Sequence, residues 1–217
     1  MSNENNKYKE KKISYGFKLS KRIIDIIGGS MGLILSTPIL FITILLIKKE
    51  SRGAAIFKQT RIGLSGKPFT IYKLRGMYID SKERFPELYD YSNKKSLDFY
   101  FHEYEDPRIT KIGKFIRRTS IDELPNFYNV LKGDMSLVGP RPEIPEVISL
   151  YGDDKEKYLS IKPGITCTSK ATGRDSLTKE ETLKLDLDYI DNMSLKNDLS
   201  LLYTTFMHVI LKKNVYA

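Results

Sequence analysis

A single cysteine, Cys167, and two histidines, His102 and His208, are all that this chain of 217 residues offers toward thiol or soft-metal chemistry. One cysteine excludes an intramolecular disulfide and a cysteine-based zinc site, and it fits a reducing compartment, so Cys167 is expected to be structural. The histidines lie far apart, with no metal-ligand spacing around them. No recognised nucleic-acid fold and no basic-aromatic interleaving is present, which argues against RNA or DNA as a partner. Acidic residues are also in deficit, 27 Asp and Glu against 36 Lys and Arg, for a net charge of +9. Such a surface attracts nucleic acid, anionic lipid or phosphorylated small molecules, and charge alone does not choose among them. The length suffices for one real core.

Residues 1–17 are polar and lysine-rich at their start and read as a mobile basic tail. The composition then changes: Ile26 to Ile47 is a run of 22 residues without a charge, long enough for a membrane helix. A cleaved signal is disfavoured, because the run is too long, starts late and lacks a small-residue cleavage site. Pro38, near the middle, removes a backbone donor and bends the helix, with Ser36 and Thr37 placed to supply hydroxyls at the break. Each arm would then measure about 18 or about 15 Å, against about 30 Å of hydrocarbon. Lys18, Lys21 and Arg22 precede the run and Lys48, Lys49 and Arg52 follow it, which suggests that both ends stay on the cytoplasmic side. Residues 18–50 are therefore expected to be a re-entrant helix-break-helix in one leaflet, with a kinked single span as the competing arrangement. Gly28 and Gly32 form a small-xxx-small pair of the kind that packs helices together.

The remainder, 51–217, reads as a cytoplasmic domain with interfacial amphipathic helices. The fold class expected is α+β, mainly helical with a small β-hairpin. Ala54–Phe57 and Phe69–Tyr72 are the hairpin strands, separated by a basic glycine-containing loop and followed by Lys73 and Arg75. Ile112 to Arg118 is a short helix. Ser120 and Glu123 fit a capping box, or Asp122 is itself the cap, and the next helix stops at Lys132-Gly133. Lys162 to Thr166 reads as a turn. A helix from Thr178 to Asp191 has its own capping box, Thr178 with Glu181, and buries Leu183, Leu187 and Ile190. Leu199 to Leu211 is too short to span and reads as an amphipathic helix.

Asp122 and Glu123 are adjacent carboxylates placed where helix amides favour negative charge. An ionised Asp can attack phosphorus or, with its neighbour, hold a hard divalent cation. Arg141 stands between Pro140 and Pro142, which restrict the backbone and suit a guanidinium held for phosphate. Arg174 follows Gly173, where backbone could approach a ligand closely.

Taken together, the chain resembles the bacterial sugar transferase family, the small monotopic phosphoglycosyl transferases, over roughly residues 18 to 205. The resemblance rests on the proline-bearing apolar segment, Phe57–Gly63, Thr70–Arg75, Asp122-Glu123-Leu124-Pro125, Leu131–Glu143 and Gly173-Arg174. It implies transfer of a sugar 1-phosphate from a UDP-sugar to undecaprenyl phosphate at the cytoplasmic face of the bacterial plasma membrane. Asp122 would be the nucleophile, giving UMP and a covalent aspartyl-phosphosugar. Glu123, with Asp122, would hold Mg²⁺. Arg117, Arg141 and Arg174 match phosphate- or sugar-contacting positions, and Lys73, Arg75 and Asp198 are further substrate-binding candidates. An N-acetylated amino sugar is the expected donor group, in assembly of a capsule, exopolysaccharide or glycoprotein glycan, and a homo-oligomer is compatible with the pattern. The chain departs from the family in carrying Thr37-Pro38 for Ser-Pro, and Cys167, Thr168, Ser169 and Lys170 where a Gly, an aromatic and a Gln are usual. A non-catalytic, membrane-tethered phosphate- or nucleic-acid-binding module, or an assembly scaffold, is the alternative function.

Overall fold

A computed structural model describes residues 11–89, 97, 106–172 and 176–211. The chain opens on one long helix, α1, Tyr15–Glu50, 36 residues, started by the Ser14 side chain accepting from the Phe17 N–H. It begins within the stretch expected to be tail, and the Lys11 N–H already donates to the Ser160 carbonyl at 2.9 Å. The interruption expected at Pro38 is absent: the backbone stays helical through it. The Ser36 and Thr37 hydroxyls both donate to the Leu33 carbonyl, at 3.1 and 2.8 Å.

Strands β1, Ile56–Ile62, and β2, Pro68–Leu74, form the expected antiparallel hairpin, with a tighter turn because β1 runs through residues assigned to the loop. Helix α2, Ser81–Arg84, and a 3-10 turn at Pro86–Tyr89 follow. Next come α3, Lys111–Arg118, capped by the Thr110 side chain, a 3-10 turn at Ile121–Glu123, and α4, Asn126–Lys132. Gly133 ends α4 at φ 93°, the left-handed terminator expected there.

The Asn126 side chain accepts from the Tyr72 N–H at 3.3 Å, and Asn129 donates to the Thr70 carbonyl at 2.7 Å. These amides satisfy the free edge of β2, so α4 docks on the hairpin without a third strand.

Strand β3, Ser136–Val138, precedes α5, Pro145–Ser149, and α6, Asp154–Tyr158. Residues 164–166, expected in a turn, are instead β4, Gly164–Thr166, parallel to β3. Two glycines allow that pairing. A Cβ on Gly164 would stand 2.2 Å from the Gly139 nitrogen, and one on Gly139 2.4 Å from the Lys162 carbonyl. Helices α7, Thr168–Thr172, α8, Lys179–Asp191, and α9, Leu195–Leu211, complete the described chain. The Thr178–Glu181 capping box forms as expected, and Leu183 and Ile190 are buried.

The largest core gathers Val130, Met135, Leu137, Val138, Tyr189, Ile190 and Leu201 from α4, β3, α8 and α9. The buried residues of α1 include Asp25, Gly29, Ser36, Thr43 and Ile47. At 100° per residue they fall within about 40° of arc, one narrow stripe along the helix. Gly28 and Gly32 lie under Leu137 and Phe127, where a Cβ would approach to 2.6 and 2.5 Å. Their smallness therefore serves packing within this chain. Lys21, read as part of a membrane flank, donates to the Val138 carbonyl at 2.9 Å and pairs with Asp198 at 2.6 Å. Arg22 donates to the Val130 and Leu131 carbonyls at 2.7 and 2.8 Å, closing the end of α4. At the other end of α1, the Glu50 carboxylate accepts from the Ile112 N–H at 3.2 and 3.1 Å. The outward face, including Ile27, Ile34, Leu35, Phe41 and Ile42, is exposed.

Candidate active site

Ser120 adopts φ 57°, ψ 16°, the left-handed region, and makes no side-chain cap bond; the capping box expected here is not formed. The left-handed residue reverses the chain after α3 and sets Ile121–Glu123 as a tight turn. Pro125 occupies the cap position of α4 and has no polar side-chain atom to offer, so neither Ser120 nor Asp122 is the cap of that helix. Glu123 is instead held by two lysines. Lys73, on β2, reaches Oε1 at 3.2 Å, and Lys170, on α7, binds Oε2 and also donates to the Ile165 carbonyl at 2.8 Å. Local sequence suggested the box; contacts from distant segments replaced it.

Arg61, Arg141 and Cys167 join Lys73, Glu123 and Lys170 around a basic cleft. The rigidity expected at Arg141 is present: its N–H donates to Asp186 Oδ2 at 2.9 Å, and its carbonyl accepts from the Tyr158 hydroxyl at 2.5 Å. Arg61 donates to the Pro142 carbonyl at 3.1 Å, tying β1 to the same loop. Burial pushes the Lys73 ammonium down to about 7; Asp122 resists this, while Arg141, Arg61 and Arg117 add to it. Asp122 and Arg117 thus act on the Lys73 charge, although neither lines the cleft. Burial likewise pushes the Cys167 thiol up to about 12, so it is protonated at neutral pH and is no nucleophile.

Two candidates serve elsewhere. Arg75 donates to the Ser51 carbonyl at 2.8 Å, to the Ser51 hydroxyl at 2.9 Å and to the Arg52 carbonyl, holding the chain as it leaves α1. Asp198 accepts from Lys21 and from the Tyr189 hydroxyl, each at 2.6 Å, joining α1, α8 and α9. Arg174 and His102 lie outside the described residues. Arg61 and Lys170 also line the cleft and were not singled out in the sequence. Their signals were Arg61 within the Phe57–Gly63 motif and Lys170 within the departure from the family pattern.

Behind Arg141, Glu143 and Lys179 form a buried pair at 2.5 Å, beside the buried Asp186. Burial pushes the Asp186 carboxyl up to about 7, against the Arg141 N–H bond; Glu143 adds to the rise, while Lys179 and Tyr158 oppose it. An unfolded Asp titrates near about 3.9, so between about 4 and about 7 the folded state holds more protons than the unfolded one. This group therefore makes stability fall as pH rises through that window and adds no further pH dependence above it. Thermal unfolding at a series of pH values is expected to show this slope in the wild type and a smaller one in Asp186→Asn.

For a divalent cation, Asp122 and Glu123 offer hard oxygens, while both Glu123 oxygens already meet ammonium groups. Among the described residues no group of three His, Cys, Asp or Glu is placed to hold a metal. Mg²⁺ commonly takes one or two carboxylates with substrate phosphate and water in the remaining positions, and binding through Glu123 would require its oxygens to leave the two lysines.

Lys73 on the hairpin, Glu123 on its turn and the proline-fixed Arg141 line one basic cleft that can receive anionic groups. The match to the bacterial sugar transferase family covers residues 17–212, and the chain belongs to that family. It is 42% identical over 205 residues to the galactosyl transferase CpsE of Streptococcus agalactiae, covering 94% of this chain and 45% of that protein. It is 38% identical to the undecaprenyl-phosphate galactose phosphotransferase of Salmonella typhimurium, covering 90% of this chain and 41% of that protein. With EpsL of Bacillus subtilis, an uncharacterized sugar transferase, identity is 36% over 90% of this chain and 89% of the relative. The chain thus spans less than half the length of the first two relatives.

Proposed function

We propose that this chain is a phosphoglycosyl transferase that moves a sugar 1-phosphate from a UDP-sugar to undecaprenyl phosphate. The observation that carries this reading is the convergence of Lys73, Lys170, Arg61 and Arg141 around Glu123, beside Asp122, in a member of the sugar transferase family. The Asp122 carboxylate attacks the β-phosphorus, the bond from that phosphorus to the bridging oxygen breaks, and UMP leaves with the electron pair. An oxygen of undecaprenyl phosphate then attacks the same phosphorus, the bond to Asp122 breaks, and the carboxylate is regenerated as the lipid diphosphate sugar departs. The guanidinium and ammonium groups of the cleft hold the diphosphate and offset its charge. Mg²⁺ held by Asp122 and Glu123 would supply further neutralisation of charge on the phosphoryl oxygens.

Membrane placement belongs to the same proposal. Lys21 and Glu50, near opposite ends of α1, bond to the same domain, and about 54 Å of helix presents apolar residues outward. A helix held along its whole length by a soluble domain cannot cross about 30 Å of hydrocarbon without carrying that domain in. The support is therefore for a monotopic helix lying along one leaflet, and its placement on the cytoplasmic face rests on the family resemblance. With Cys167→Ser as background, cysteines placed at Lys12 and Lys58 should react with an impermeant reagent from the same side; opposite accessibility would establish a span.

Two donor classes compete. The resemblance to small family members implies an N-acetylated amino sugar, whereas the Salmonella typhimurium relative is named for galactose and an Escherichia coli relative for UDP-glucose. UMP release from a panel of UDP-sugars with undecaprenyl phosphate and Mg²⁺ separates them. Release with none of the sugars, or salt-sensitive RNA binding in its place, would favour the non-catalytic module.

A further inference from the structure

A cavity of about 110 Å³ shares Glu123, Ile165 and Lys170 with the basic cleft but is otherwise built differently. Leu124 and Phe127 supply apolar walls, and Thr205 and His208 of α9 close another side. The Thr205 hydroxyl is hydrogen-bonded to that of Thr166 on β4. The exposed lining of the cavity is mostly apolar, with Lys170 and Glu123 at one end and Ser120, Thr205 and His208 as the other polar residues of its walls. A sugar or a nucleobase placed against Leu124, Phe127 and Ile165 would leave its polar groups without partners. The wall made by Leu124, Phe127 and Ile165 instead suits a branched hydrocarbon unit.

Its position fits the same occupant. Phe127 stands against Gly32 of α1, whose outward face is apolar. On α9, Leu199, Tyr203 and Phe206 are 58%, 67% and 63% exposed and share one face at spacings of four and three. The cavity lies between two helices that both present apolar surface, and its charged end adjoins the proposed nucleophile.

We propose that this cavity is the subsite for the first isoprene unit of the lipid phosphate acceptor, with Lys170 at its inner end meeting the phosphate. This rests on the transferase reading and extends it. The donor diphosphate occupies the basic cleft, the acceptor enters through the apolar cavity, and both reach the turn that carries Asp122.

The test uses the full chain in nanodiscs with farnesyl phosphate carrying a diazirine in its first isoprene unit. Photolabel is expected on peptides containing Leu124–Phe127 and Thr205–His208, removed by excess undecaprenyl phosphate and retained in excess inorganic phosphate. In parallel, Thr205→Phe and His208→Trp, which fill the cavity, should each raise the KM for undecaprenyl phosphate by about tenfold while the KM for the UDP-sugar stays within about twofold. Label confined to other segments, label displaced by inorganic phosphate, or an unchanged lipid KM in both variants would overturn the assignment. An inactive wild-type protein would count against the transferase reading, and the label map would still decide the cavity.

Discussion

Asp122→Asn is expected to lower UMP release by at least about 10³-fold, with the thermal midpoint little changed. The amide is close in size to the carboxylate but is not nucleophilic, and a partly exposed side chain contributes modestly to stability. Glu123→Gln is expected to lose less, because it leaves the nucleophile in place while weakening the contacts to Lys73 and Lys170. An Asp122→Asn protein that retains full activity would exclude the covalent mechanism. A proportional loss in both variants would point to a shared charge role.

Lys179→Met is expected to produce the largest loss of stability. Lys179 and Glu143 are 4% and 0% exposed and pair at 2.5 Å. Removing the lysine leaves a buried carboxylate whose other cation, Arg61, stands 3.8 Å away. Breaking such a pair costs about 3–5 kcal/mol, a fall of about 10 °C for a domain of this size. The double variant Lys179→Met with Glu143→Gln should recover a large part, because no uncompensated charge remains. Thermal unfolding of the three variants in one detergent measures this. A single variant as stable as the double one would remove the pair from the account. Because the Glu143 carbonyl also accepts from the Ile62 N–H at 3.0 Å, the loss should extend to the loop carrying Arg141.

What the sequence made legible was local. The Thr178–Glu181 box, the Gly133 terminator and the hairpin each depend on a few neighbouring residues, and each formed. The Ser120–Glu123 box carries the same pattern and failed, because Lys73 and Lys170 compete for Glu123 from 50 and 47 residues away. No local signal separates the two cases. The strand at Gly164–Thr166 was hidden for a similar reason: three residues with a glycine read as a turn until Gly139 admits them as a partner. Lys21 and Arg22 resembled a membrane flank because their partners, Asp198 and the end of α4, are more than a hundred residues distant. Arg75 and Asp198 fitted the family's basic and acidic positions, yet they bind the fold itself. Of the residues singled out in the sequence, Glu123, Lys73 and Arg141 line one cleft in the fold; that Arg61 and Lys170 line it too needed the tertiary structure.

The central claim is tested most directly by mass spectrometry of the protein mixed with its preferred UDP-sugar and Mg²⁺ in the absence of lipid. The account predicts one sugar-phosphate added to the peptide containing Asp122, with an equal amount of UMP released, and loss of that adduct when undecaprenyl phosphate is supplied. UMP release only when lipid is present, with no adduct, or an adduct on another residue, would contradict it.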